Sequence, residues 1–111
     1  MPSAKDANFT NWENFMILYD DSEYSVVWGK YDGADEYSLG ERWNKGGETD
    51  LGFPNIFGKP IWHVIPEIFT DAILLEIERL LIRGKLSNGD LMDSNELAKY
   101  RKNLKTALGR F

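Results

Sequence analysis

The sequence predicts an α+β protein in which an antiparallel sheet of about four strands is followed by two C-terminal helices packed on it, in the order β-β-β-β-α-α. Two patterns in the chain lead to this fold class. The first half has short runs of alternating apolar and polar residues separated by turn residues, which is typical of strands in a meander. The second half has two segments with apolar residues at three- and four-residue spacing, which is typical of amphipathic helices. Strands followed by helices favour helices on one face of an antiparallel sheet.

Four segments have the composition of strands, and they are residues 15–21, 23–31, 37–44 and 61–65. A hairpin-length turn separates the first two, and the Asp-Gly pair at 32–33 marks the turn before the third. In the third segment, Leu39 and Trp43 fall on one face and Arg42 on the other. The fourth segment is apolar on both faces, so we expect a central strand that is covered on both sides.

Two segments have a composition that predicts irregular structure. Residues 1–14 are polar, and we expect them to be loosely ordered at the start of the chain. Residues 45–60 contain four glycines and two prolines, and a loop of this length within a domain commonly has a function. Its glycines do not form a phosphate-binding loop, because no Gly-Lys-Ser/Thr sequence follows them.

The first predicted helix opens at Pro66, runs to Arg83 and stops at Gly84, since proline suits the first turn of a helix and glycine the position after the last. Its apolar residues fall on two separate faces. The first face contains Phe69, Ile73, Ile77, Leu80 and Leu81, and the second contains Ile68, Ala72, Leu75 and Ile82. A helix with two apolar faces must be covered twice, so we expect the sheet to cover one face. The last helix, or a second copy of the protein, is expected to cover the other.

The second predicted helix begins near Asp93, which together with Glu96 resembles a capping box. Its apolar stripe consists of Leu97, Tyr100, Leu104, Leu108 and Phe111. Four basic residues lie away from this stripe, namely Lys99, Arg101, Lys102 and Lys105. Basic helices can contact phosphates, so nucleic-acid binding through this helix is one alternative function, although the net negative charge opposes it.

The charge is distributed unevenly along the 111 residues, which we interpret as a single domain. Residues 1–58 contain 11 acidic and 4 basic residues, whereas residues 59–111 contain 7 acidic and 9 basic residues. Acidic surfaces repel nucleic acid and attract basic protein surfaces. The absence of cysteine excludes disulfides and thiolate metal sites, and with no signal peptide or membrane-spanning segment it favours a cytoplasmic protein.

His63 is the one histidine of the chain, and it lies in the fourth predicted strand between Trp62 and Val64. We expect its side chain to point inward with Ile61 and Ile65 and to have a structural role. The acids of the 20–23 and 32–36 turns should lie at opposite ends of a shared strand, too far apart to hold a metal ion. The sequence therefore predicts no catalytic residue, no cofactor and no metal site.

These features favour a small acidic protein-binding module, such as an inhibitor, an immunity protein or a regulatory partner, over an enzyme. The partner is expected to be another protein or a second copy of this one. The candidate interaction residues are the acids of the first two turns and an aromatic and polar group: Asp20, Asp21, Glu23, Asp32, Asp35, Glu36, Glu41, Arg42, Trp43 and Trp62. The main alternative is a small enzyme or small-ligand binder in which residues 45–60 form a lid.

Overall fold

A computed structural model describes the chain at residues 11–21, 23–44, 54–56, 59–86 and 88–109. Within these ranges, a four-stranded antiparallel sheet is followed by two helices that pack on it. The predicted α+β fold class is therefore confirmed.

The strands are β1 (Trp12–Asp20), β2 (Tyr24–Tyr31), β3 (Ser38–Trp43), β4 (Asn55–Ile56), β5 (Lys59–Pro60) and β6 (His63–Val64). The main sheet has the order β1-β2-β3-β6 with every neighbouring pair antiparallel, and β4 and β5 form a separate hairpin. The strand predicted to be central is thus a two-residue strand at the edge of the described sheet, and that prediction is wrong. The segment predicted to be irregular contains the β4–β5 hairpin, while its residues 45–53, 57 and 58 lie outside the described part.

The turn between β2 and β3 has the backbone geometry that its sequence predicts. Asp32 and Gly33 both have positive φ angles, 55° and 78°, and the N–H of Ala34 donates to the carbonyl of Tyr31, which closes a tight turn around the Asp-Gly pair. At the same end of β2, β1 begins earlier than predicted, because Trp12 pairs with Tyr31 and is buried. Residues 12–14 belong to β1, and residues 1–10 are outside the described ranges, so the expectation of loose order at the start of the chain stays a prediction.

The helical segments are a 3-10 turn (Glu67–Phe69), α1 (Thr70–Arg83) and α2 (Ser94–Leu108). Gly84 ends α1 in the left-handed conformation, with φ 66°, and its N–H donates to the carbonyls of Leu80 and Leu81. The Asp93 carboxylate caps α2 by accepting hydrogen bonds from the backbone N–H groups of Asn95 and Glu96, at 3.1 and 3.2 Å. Both predicted helix boundaries at these residues are confirmed.

The sheet has a large apolar core on its helix-facing side and a small cluster on the opposite side. The large core joins the strand residues Leu18, Val26, Trp28 and Leu39 to Leu74, Ile77 and Leu81 of α1 and to Tyr100, Leu104 and Ala107 of α2. The small cluster consists of Trp12, Val27 and Trp62. Adjacent strand residues point to opposite faces, which is why Val26 and Val27 belong to different clusters.

Helix α2 lies against both β1 and α1, and two polar side chains fix its position. Asn103 Nδ2 donates to the carbonyl of Ile17 in β1 at 2.7 Å. The guanidinium of Arg101 donates to the carbonyl of Leu81, near the end of α1, at 2.8 Å. The predicted apolar stripe of α2 is buried at Tyr100 and Leu104, whereas Phe111 lies outside the described residues.

The second apolar face predicted for the first helix is not covered by α2, so the expectation that the last helix covers it is wrong, while cover by a second copy of the protein stays a prediction. Ile68, Leu75 and Ile82 are 83%, 59% and 72% exposed, and we call these three residues the α1 ridge. Phe69, which the α-helical pattern predicts on the first apolar face, is also exposed. It lies in the 3-10 turn, which has three residues per turn and therefore rotates its side chain away from the α-helical pattern. Leu74, rather than Phe69, is buried in the core between α1 and the sheet. In the described residues, neither helix has the length and apolar composition needed to cross a membrane.

The neighbouring leucines of α1 provide a matched test of this arrangement. We expect Leu74→Ala to lower the free energy of unfolding by about 2–5 kcal/mol, since Leu74 is fully buried and its loss leaves a cavity. Leu75→Ala removes the same atoms from the exposed ridge and should change it by no more than about 0.5 kcal/mol. Chemical denaturation followed by circular dichroism measures both values. Equal losses for the two variants would contradict the orientation of α1.

Candidate functional site

Arg42 is fully buried on the sheet face opposite the helices, and its guanidinium binds the base of the β4–β5 hairpin. Its Nη1 donates to the carbonyl oxygens of Ile61, at 2.6 Å, and Pro54, at 3.3 Å. Its Nε donates to Asn44 Oδ1 at 3.2 Å. Burial lowers the pKa of Arg42, but a guanidinium remains protonated in proteins. The buried charge therefore holds the hairpin against β3.

Asn44 connects this charge to the turn between β1 and β2. Its Nδ2 donates to Ser25 Oγ at 2.6 Å and to the carbonyl of Asp21 at 2.8 Å. Ser25 Oγ in turn donates to Asp20 Oδ1 at 2.5 Å. Because Asn44 accepts from the guanidinium and donates toward the acidic turn, it links Arg42 to the Asp20 carboxylate through hydrogen bonds.

Asp21 stabilises the same turn with its own side chain. Its Oδ1 accepts the backbone N–H groups of Glu23 and Tyr24 at 2.6 and 2.7 Å. Its Oδ2 accepts a hydrogen bond from the hydroxyl of Tyr19. Asp20 and Asp21, both predicted as interaction residues, thus form hydrogen bonds within the fold.

Glu41 and Trp43 lie on the opposite face from Arg42, because side chains alternate along β3. Trp43 is opposite Tyr24 in the β2–β3 pairing, and their rings are 4.9 Å apart with planes tilted by 56°. The Tyr24 hydroxyl donates to Glu41 Oε1 at 3.1 Å. With Glu23, these residues line a hollow of about 290 Å³. We call Glu23, Tyr24, Glu41 and Trp43 the acidic–aromatic patch.

The environment of the patch changes the acidity of its phenol. Burial and the neighbouring Glu41 carboxylate, which accepts the phenol's hydrogen bond, raise the pKa of Tyr24 far above the ordinary tyrosine value. The hydroxyl is therefore protonated throughout the physiological pH range and donates its hydrogen bond to Glu41.

His63 is at the border of the patch and does not point into the core, so the predicted inward orientation is wrong. Its side chain is 63% exposed, and Nδ1 lies 3.8 Å from Glu41 Oε2. Trp62 and Ile65 are buried in the two apolar clusters, whereas His63 pairs with Glu41 of β3 and is exposed beside it. A second hollow of about 190 Å³ lies here, lined by Glu41, Arg42, Trp43, Pro54 and His63. At 3.8 Å the imidazole is too far from Glu41 for a hydrogen bond that would orient it as a base.

The remaining predicted interaction residues are not part of the patch. Asp32, Asp35 and Glu36 are exposed at the turn on the other end of β2, so the two groups of acids do not converge. Arg42 and Trp62 are buried, and neither side chain presents a surface to a partner. Over the residues that can be described, no cluster of three or more histidine or acidic side chains is arranged to hold a metal ion.

Sequence reasoning missed Tyr24 and the outward position of His63. Tyr24 pairs with Trp43 in the β2–β3 register, but it lies eight residues before Asp32 while Trp43 lies ten residues after Gly33, so the Asp-Gly pair does not by itself predict this contact. The position of His63 has no local signal either, because it depends on where the two-residue β6 strand meets Glu41.

The described patch combines two carboxylates with two aromatic rings, a combination that suits binding of a cationic group. In the predicted basic helix, Arg101 donates its hydrogen bonds to the carbonyl of Leu81.

Comparison of the chain with protein-family models, with curated proteins and with solved structures found no match.

The buried guanidinium can be tested with a variant that keeps much of its volume. We expect Arg42→Met to lower the free energy of unfolding by about 3 kcal/mol, because the Pro54 and Ile61 carbonyls lose a charged donor. The matched control is Arg83→Met at the exposed end of α1, with an expected change within about 0.5 kcal/mol. Chemical denaturation measures both variants, and a neutral Arg42→Met would show that the guanidinium is not needed to hold the hairpin.

Alkaline titration tests the contact between Tyr24 and Glu41. The folded protein holds the Tyr24 proton more tightly than the unfolded chain, in which tyrosine has a pKa of about 10. This stabilisation is present below pH ~10 and is lost as pH rises through the higher folded value. Tyrosinate absorbance, with Tyr24→Phe identifying the signal, should show that Glu41→Gln lowers the pKa of Tyr24. An unchanged titration in Glu41→Gln would contradict the contact.

Proposed function

We propose that this protein is a small protein-binding module that contacts a basic surface of its partner through the acidic–aromatic patch. The observation that carries this proposal is the exposure of Trp43, which is 52% exposed while the other three tryptophans are 2–6% exposed. An exposed tryptophan held against a second ring is typical of the residues that anchor protein interfaces.

The rigidity of the patch supports this proposal. Trp43 and Glu41 belong to a paired strand, and Arg42 between them is buried and hydrogen-bonded on the other face. The side chains that would meet a partner therefore need little further ordering on binding, which lowers the entropic cost of association.

The charge distribution supports a basic partner surface. Residues 1–58, which include the whole patch, have a large excess of acidic over basic residues. A field of this sign accelerates encounters with a basic surface, and salt weakens the effect. An inhibitor, an immunity protein or a regulatory partner acting in the cytoplasm would have these properties, and the absence of cysteine suits that compartment.

Self-association is a second candidate, favoured by the exposure of the α1 ridge. Leu75 and Ile82 lie two turns apart on one side of α1, and Ile68 is exposed in the 3-10 turn that precedes the helix. A second copy of the chain would bury these aliphatic side chains at a helix–helix contact.

If the ridge pairs two copies, Leu75→Ala should shift the oligomeric state measured by light scattering toward the monomer without changing the fold.

The proposal predicts which variants lose the partner. We expect Glu41→Lys and Trp43→Ala to abolish capture of specific basic proteins from a lysate, with Glu13→Lys and Phe15→Ala as controls on β1 that retain them. Association of a captured partner should slow as salt rises, because part of the attraction is between exposed charges. Asp20 and Asp21 are not suitable for this test, since their hydrogen bonds stabilise the turn.

Circular dichroism must show that each variant is folded. Capture that is equal for the patch variants and the controls would overturn the proposed function.

A further inference from the structure

We infer that the hollow of the acidic–aromatic patch is a binding site for one organic cation, the side chain of an arginine or lysine. This inference rests on the proposed function, because it names the group of the partner that enters the patch. It also states a binding property of the isolated protein that can be measured without the partner.

The aromatic part of the site is formed by Trp43 and Tyr24. Their ring centroids are 4.9 Å apart and their planes are tilted by 56°, so the rings form two walls that meet at an angle. Tryptophan has the most favourable ring face for a cation, and guanidinium groups also stack on aromatic faces. The large exposed fraction of Trp43 leaves much of this surface accessible.

Glu41 provides the charge. Its Oε1 accepts the neutral hydroxyl of Tyr24 at 3.1 Å, and its Oε2 is 3.8 Å from the His63 imidazole. In the described part of the chain, no lysine or arginine forms an ion pair with Glu41. The Glu41 side chain is 28% exposed, and a partly buried carboxylate is screened less by salt than a fully exposed one.

The dimensions of the site are compatible with a single side chain. The hollow has a volume of about 290 Å³, which is at the lower end of the range of about 300–1,000 Å³ for small-molecule pockets. Its described lining of two rings and two carboxylates presents hydrogen-bond acceptors and ring faces, which suits the donors and positive charge of a guanidinium or ammonium group.

The experiment is a titration of the isotope-labelled protein with Nα-acetyl-arginine amide, Nα-acetyl-lysine amide and the neutral isostere Nα-acetyl-citrulline amide. The indole N–H resonances of the four tryptophans are followed by NMR, and Trp43→Phe identifies the Trp43 signal. We expect both cations to shift the Trp43 resonance with a dissociation constant on the order of millimolar, as suits one weak contact. Citrulline should cause little shift, and the tighter of the two cations identifies the preferred side chain.

Matched variants test the role of each group. Glu41→Gln should weaken cation binding about three- to fivefold, whereas Glu13→Gln on β1 should bind as the unmodified protein does. His63→Lys should also weaken binding, because a permanent cation beside Glu41 competes for the carboxylate. His63→Gln keeps the residue polar and adds no positive charge, so it should leave binding nearly unchanged.

Two results would overturn the inference: citrulline binding as tightly as arginine, or Glu41→Gln binding arginine as tightly as the unmodified protein. A shift of a buried tryptophan in place of Trp43 would place the cation elsewhere and would overturn it as well. A different result would contradict only the proposed function. In that case the small cations bind to the patch, but the Trp43 and Glu41 variants capture the protein partner as well as the unmodified protein does. Cation titration and partner capture therefore test the two proposals independently.

Discussion

The guanidinium of Arg42 is a positive charge buried inside a small protein, and two distant segments of the chain, the β4–β5 hairpin and the turn between β1 and β2, are arranged around it. It binds the carbonyls of Pro54 and Ile61 at the base of the β4–β5 hairpin, and Asn44 beyond the end of its own strand. Asn44 then reaches the turn between β1 and β2 through Ser25 and the carbonyl of Asp21. Removing a charge from water is costly unless its donors are satisfied, so these segments must keep their positions as long as Arg42 is inside.

The same constraint shapes the surface on the other side of the sheet. Because side chains alternate along a strand, an inward Arg42 fixes Glu41 and Trp43 on the opposite face. Antiparallel pairing then brings Tyr24 beside Trp43, and its hydroxyl reaches Glu41. The acidic–aromatic patch is thus a consequence of the buried network, and its side chains are held by the sheet rather than by a mobile loop.

The helices cover the sheet face that also bears this patch, and Tyr24 packs against the core that they complete. Residues Leu74, Ile77 and Leu81 of α1 complete the core that Leu39 and Val26 begin, and α2 covers the side next to β1. This arrangement leaves the α1 ridge without a covering element in the described chain. The molecule therefore has two surfaces of different chemistry, one acidic and aromatic and the other aliphatic, and each would suit a different kind of partner.

Local features of the sequence were sufficient to determine the fold class, the Asp32–Gly33 turn, the end of α1 at Gly84 and the cap at Asp93. The turn and the two helix ends depend on the backbone conformation that one residue prefers, or on its hydrogen bonds to residues a few positions away in the chain. Glu41 and Trp43 could also be named from the sequence as candidate interaction residues. Only the tertiary structure decided that Arg42 is buried, that His63 points outward and that α2 does not cover the α1 ridge. These outcomes depend on contacts between residues far apart in the chain, such as Arg42 with Ile61, and periodicity within one segment does not specify which distant segment will pack against it.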